Sequence, residues 1–189
     1  MEKRTHCLLY NPCIPVQQLT PLADLESILD DANNRANSNQ LAKMVRLNWM
    51  VENLKTEPIY KPLLVDHNMI VQTGDTRIAA IQLSNTVSHV SVLMSAPVEH
   101  MNLDWIYVQD DTHLGQLLDV ALVDIMYRED WHFNLIDWIE FAWPHTENHM
   151  HNEEERYHLI TNYLEQHPDT VFTREWLQTP VDWSDYAVD

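Results

Sequence analysis

PLLVDHNMIVQTGDTRIAAIQLSNTVSHVSVLM, running from Pro62 to Met94, decides how the rest of the chain is read. Two short apolar runs, Leu63 to Val65 and Met69 to Val71, flank Asp66-His67-Asn68. Those three residue types tolerate turn conformations, so the spacing predicts a β-hairpin. Gly74, one of only two glycines in the 189 residues, ends the second strand where the backbone must bend in a way that a Cβ resists. Ile78, Ile81 and the pair Ala79 and Leu83 then recur at helical spacing. The expected order is strand, tight turn and helix, followed by a strand in which Val90, Val92 and Met94 alternate with His89, Ser91 and Leu93.

The first turn of such a helix leaves backbone N–H groups without partners and carries partial positive charge, which together favour an anion. Arg77 falls in that turn, and a guanidinium can hold a phosphate through two parallel hydrogen bonds. The Thr76 hydroxyl and the amides after Gly74 suit the remaining oxygens. Asp75 repels a bare phosphate, but a Mg²⁺ ion bridging carboxylate and phosphate oxygens reverses that objection. Asp75 is then the candidate catalytic residue, as metal anchor or base. The same residues also suit a capped helix, the commoner use of a carboxylate at a helix start, with Asp75 or Thr73 as the cap and Arg77 solvated or paired to Asp75.

Over residues 8 to 94 the chain resembles the ParB/sulfiredoxin family, in the N-terminal domain of ParB. There a strand and helix lead into a Pro-led strand, a hairpin, a Gly-Glu-Arg-Arg box opening a helix, an Ala-rich continuation and a further strand. Ile14-Pro15-Val16, Leu41 to Leu54, Pro62-Leu63-Leu64-Val65, Gly74-Asp75-Thr76-Arg77, Ile78-Ala79-Ala80 and Val87 to Met94 follow in that order. In the family the box lies against the phosphates of a nucleotide. The resemblance therefore implies a nucleoside triphosphate with Mg²⁺ at Gly74, Thr76 and Arg77, where Asp75 replaces glutamate and Thr76 replaces arginine.

The departures narrow what carries over. Sulfiredoxins place a reactive cysteine in the box, where this chain has Asp75 and Thr76, which disfavours sulfinic acid repair. ParB proteins add a Glu-Asn-x-x-Arg motif and a helix-turn-helix domain, and neither is found in this sequence. CTP-gated DNA clamping is therefore not implied. Other members of the fold are nucleases or small-molecule kinases, and the sequence does not choose between them.

Charge divides the chain unevenly. Residues 1 to 94 hold eight Lys and Arg against nine Asp and Glu, whereas residues 95 to 189 hold three against twenty. Lys61 is the last lysine, so the second half cannot neutralise a phosphate backbone, and direct DNA binding is disfavoured. Such a surface suits docking onto a basic partner or imitation of nucleic-acid charge. No apolar run approaches the length of a membrane span, and Cys7-Leu8-Leu9-Tyr10 is too short for one. Cys7 and Cys13 lack metal-ligand spacing and read as thiols in a reducing cytoplasm.

Taken in order, a first strand is expected around Ile14 to Leu19, irregular because of Pro12 and Pro15. Thr20-Pro21 opens a helix bearing Leu22, Leu25, Leu29 and Ala32. Asn37 and Gln40 form a capping-box-like start for a second helix, whose stripe is Leu41, Met44, Leu47, Val51 and Leu54. Leu103 to Val108 is a further strand, and Thr112 to Tyr127 a helix. Trp131 to Trp143 fits either period. Asn152 and Glu155 start another helix through Tyr157, Ile160 and Leu164, ending before Pro168. Trp176 and Trp183 lie among acids in the tail.

Other constellations have plainer readings. His145, Glu147, His149, His151 and His158 are metal-ligating types without a recognisable spacing, and read as surface histidines. Six of the seven tryptophans follow residue 100 and suit core packing better than base stacking. Asp110-Asp111 reads as a solvated helix start.

The expected fold is α+β: a small mixed β-sheet with packed helices over residues 1 to 100, then an acidic, mostly helical region over 101 to 189, with the boundary in Ser95 to Asn102. Two functions from different classes remain. One is a nucleotide or phosphate site at Gly74 to Arg77, and the other a non-catalytic acidic protein that binds a basic partner on a ParB-like scaffold.

Overall fold

Asp66-His67-Asn68 does turn the chain, and a mixed sheet with several helices is built around the result. The structure, a computed structural model, describes residues 6–56, 62–97, 105–107 and 152–188. Its strands are β1 (His6–Pro15), β2 (Leu63–Asp66), β3 (Val71–Thr73), β4 (His89–Pro97) and β5 (Ile106–Tyr107). Its helices are α1 (Leu25–Asn33), α2 (Ser38–Asn53), α3 (Asp75–Ser84), α4 (Glu153–Gln166) and α5 (Arg174–Gln178), with 3₁₀ turns at Val16–Gln18 and Trp183–Tyr186. The expected elements at 112–127 and 131–143 lie outside the described residues.

These elements form two compact units, one holding the strands and the other the helices α1 to α5. The chain leaves the strand unit after Thr20 and again after Gly74, and re-enters it at Ser88. Each unit is therefore assembled from stretches far apart in sequence.

In the strand unit the order is β3-β2-β4-β1-β5. β2 runs parallel to β4, with Leu64 opposite Leu93, and the other pairs are antiparallel. A parallel pair needs a long connection, and β3 and α3 lie in the chain between its two strands. Leu63, Leu64 and Val65 are all fully buried, as are Val92 and Leu93. In β4 the expected alternation holds from exposed His89 through buried Val90, half-buried Ser91 and buried Val92, and burial on consecutive residues at Val92, Leu93 and Met94 means that both faces are covered there.

The first strand begins earlier than expected, at His6, because it pairs with β4 from His6 opposite Pro97 to Pro15 opposite His89. Pro12 falls where the register shifts between Asn11 and Ile14, so its missing N–H is absorbed by an irregularity in the ladder. Asp66 holds the hairpin turn, its Oδ1 accepting from the Asn68 and Ile70 amides at 2.8 and 3.0 Å. Met69 is left at φ 63°. The second strand therefore starts at Val71, two residues later than the apolar run predicts.

In the helical unit, α1 opens at Leu25 and not at Pro21. Asp24 caps it by accepting from the Ser27 amide at 2.8 Å. Leu22, assigned to the helix by spacing, is 62% exposed. Asn37 caps α2, but it accepts from Asn39 at 2.9 Å and leaves Gln40 out of the box. The α2 stripe is buried as expected, with Met44 and Leu47 fully enclosed. Asn152 caps α4 through the Glu155 amide at 2.9 Å, and the helix ends at Gln166, before Pro168.

Three polar side chains of the first half fasten the segment after α4. Asn33 exchanges two hydrogen bonds with the Phe172 backbone, at 2.7 and 3.0 Å. Arg35, at φ 53°, donates to the Pro168 and Thr170 carbonyls. Asn48, 2% exposed on the apolar face of α2, donates to the Thr179 carbonyl at 2.7 Å and to the Leu177 carbonyl at 3.3 Å. Its Oδ1 accepts from the Trp183 indole at 3.1 Å. Trp183 thus joins a core with Phe172 and Leu177, as its packing reading expects, while half-buried Trp176 packs edge-on against Phe172 and Trp183.

Candidate functional site

The backbone at Gly74 has φ 101°, a region that glycine enters without the steric cost a side chain imposes. This permits β3 to end and α3 to begin within one residue. Asp75 stands first in α3, Thr76 follows half-buried, and Arg77 completes the turn. Local order therefore follows the sequence expectation, but the side chains divide differently.

Arg77 is 4% exposed. It belongs to the buried surface of α3 together with Ile78, Ala79, Ala80, Ile81 and Leu83, so the solvated alternative for its guanidinium is excluded. A helix apolar on nearly every side, as this one is from Ile78 onward, is a core helix. The guanidinium contributes its charge from within that core.

Asp75 is the more informative residue. Its carboxyl is half-buried, and its Oδ1 is shielded from solvent without a hydrogen-bond partner among the described residues. Desolvation pushes its pKa above the ordinary carboxylate value, and the positive charge of Lys43 on α2 opposes the shift. An inward carboxylate oxygen of this kind is completed by a proton or a cation.

Basic residues lie in the same unit. Lys43 and Arg46 lie three residues apart on α2 and are both half-buried. Burial lowers the pKa of Arg156 on α4, the charge of Arg46 lowers it further, and Glu153 acts the other way. Lys43, Arg46, Arg77 and Arg156 thus all belong to the helical unit. Of these four basic residues, only Arg77 falls in the sequence pattern of the turn. Lys43 is missed because its relation to Asp75 depends on how α2 and α3 meet, for which the sequence carries no spacing signal.

Of the histidine cluster, His158 alone lies within the described residues, exposed and 4.0 Å from Glu154. Among the described residues no three His, Cys, Asp or Glu side chains gather as metal ligands. No helix among them is long and apolar enough to cross a membrane.

The chain matches no family model, no curated protein and no solved structure with which it was compared. Its fold stands as a mixed sheet with helices, and its function rests on the geometry of the side chains.

Proposed function

We propose that the turn opening α3 binds the phosphates of a nucleoside triphosphate through Mg²⁺, on a ParB/sulfiredoxin-like N-terminal part followed by an acidic helical region. The observation that carries this reading is the buried, unpartnered Oδ1 of Asp75 at a helix start, beside the charge of Lys43. Mg²⁺ is commonly held by one or two carboxylates, several waters and the substrate's own phosphate oxygens, so a single carboxylate fits it without a protein cage. Such an ion supplies charge neutralisation between phosphate oxygens. Gly74 lets the chain approach closely, the Thr76 hydroxyl and the first amides of α3 offer hydrogen bonds, and Arg77 reinforces the positive field from inside. The strand and helix order from β1 to β4 supports the family resemblance.

Calorimetry of the full chain with nucleoside triphosphates, with and without Mg²⁺, tests the reading. Binding is expected only with the metal, and Asp75→Asn is expected to weaken it by about 1.5 to 3 kcal/mol, the scale of a lost charged interaction. Absence of binding at roughly millimolar ligand, the weak end of the affinity scale, would end the nucleotide reading. Arg77→Ala is a poor probe because its burial makes loss of stability inseparable from loss of affinity.

A second reading, an acidic protein that binds a basic partner, is favoured by the exposed run Glu153, Glu154 and Glu155 opening α4, and by exposed Glu175, Asp182 and Asp185 further along.

A further inference from the structure

A cleft of about 550 Å³ lies in the helical unit among α4, α5 and the final 3₁₀ turn. Tyr163, Trp176 and Tyr186 line it, with Glu175, Asp182 and Asp185 beside them. Its described lining contains no lysine or arginine. Arg174, next to it in sequence, is engaged by Glu26 at 2.7 Å.

The rings form walls and not a stack. Tyr163 meets Trp176 at 75° with centroids 5.9 Å apart, and Tyr186 at 66° with centroids 5.1 Å apart. The Trp176 indole donates to the Tyr163 hydroxyl at 3.1 Å, and the Tyr186 hydroxyl meets His167 Nε2 at 3.1 Å, so the walls are fixed before any ligand arrives. Aromatic faces are negative at their centres and attract cations, and carboxylates at the same opening add charge of the same sign. The Ser184 hydroxyl, and then its amide, hold the Asp182 carboxyl below the ordinary pKa range, which keeps it ionised.

We propose that this cleft binds an alkylammonium group, and that the group is a lysine side chain of a basic protein segment. The choice of a protein segment rests on the second reading above, because the cleft is open to solvent and its half of the chain carries twenty acidic residues against three basic ones. A single small cation uses the aromatic walls alone. A polycationic segment also gains from the carboxylates around them. The site is separate in residues and in charge from the turn at Asp75.

The test uses the full chain and an end-blocked peptide of lysines spaced by serines, followed by calorimetry and by the indole N–H resonance of Trp176. Saturable binding that shifts this resonance is expected, and acetylating every lysine should abolish it. The exposed pair Glu175→Gln and Asp185→Asn, changed together, should weaken the peptide by about tenfold or more while tetramethylammonium keeps most of its affinity, since ring attraction survives loss of the carboxylates. Peptide binding unchanged in that double variant, or equal for the acetylated peptide, overturns the cleft as the site. Tetramethylammonium binding beside no detectable binding of the lysine peptide overturns the basic-partner reading and leaves the ammonium site standing.

Discussion

Asn48 ties α2 to residues 177 to 183 through its side chain, and nothing in its sequence surroundings marks it. It stands between Leu47 and Val51 in an apolar stripe, where a polar side chain is costly unless every group is satisfied. The groups that satisfy it come from residues 177 to 183, about 130 positions away. Asn48→Ala takes a donor from the Leu177 and Thr179 carbonyls and the acceptor from the buried Trp183 indole, and is expected to cost about 2 to 4 kcal/mol in a urea melt. A loss below about 0.5 kcal/mol, the range of ordinary surface changes, would mean that water replaces the amide at no cost. Asp75 makes a different prediction. Desolvation raises its pKa in the folded state, so its favourable contribution is complete below the unfolded pKa and is lost as pH rises through the folded value. Asp75→Asn, neutral throughout, should therefore be more stable than the wild type at about pH 7, with the advantage shrinking toward about pH 4. A stability difference that does not change over that range would show that the carboxyl stays solvated. Sequence identified Asp75 as the ambiguous member of the turn, but its desolvation and its relation to Lys43 are products of packing.

The elements were most legible where a cap stands next to a long apolar stripe. Asn152 before α4 and Asn37 before α2 both start helices as expected. Pro21 misled because the apolar pattern around Leu22, Leu25 and Leu29 extends past the true start, and the competing cap at Asp24 prevailed by bonding the Ser27 amide. Strand limits were less legible than strand existence, since β1 and β4 are measured against each other and not against their own sequences. Asn152→Ala should remove the α4 cap at a cost of about 1 kcal/mol, read from thermal or urea unfolding. Glu153, Glu154 and Glu155 in that first turn add favourable charge near the helix start. The cost should therefore stay similar in high salt, whereas substitutions of the three glutamates should lose their effect there.

For the whole molecule, composition separated a near-neutral half from an acidic one, yet compactness follows other lines. α2 packs against both α4 and α5 inside the helical unit, so residues 1 to 100 lack part of the cover for the α2 stripe. A fragment ending at residue 100 is expected to show a weakened helical signal by circular dichroism and to associate in gel filtration. A monomeric, cooperatively melting fragment would contradict that. The intact chain, at net charge −18, is expected to leave duplex DNA unshifted at physiological salt in a mobility assay. Binding that weakens steeply with salt would instead assign phosphate contacts to Lys43 and Arg46. The interleaving of the units also has a consequence on the ribosome. Roughly 100 residues separate α2 from α4, and at about 5 to 20 residues per second the ribosome takes about 5 to 20 seconds to make them. Throughout that interval Met44, Leu47 and Val51 are already synthesised while residues 152–188 do not yet exist. The nascent chain must therefore be sheltered, by a chaperone or by provisional contacts of its own, for longer than a small helical domain takes to fold.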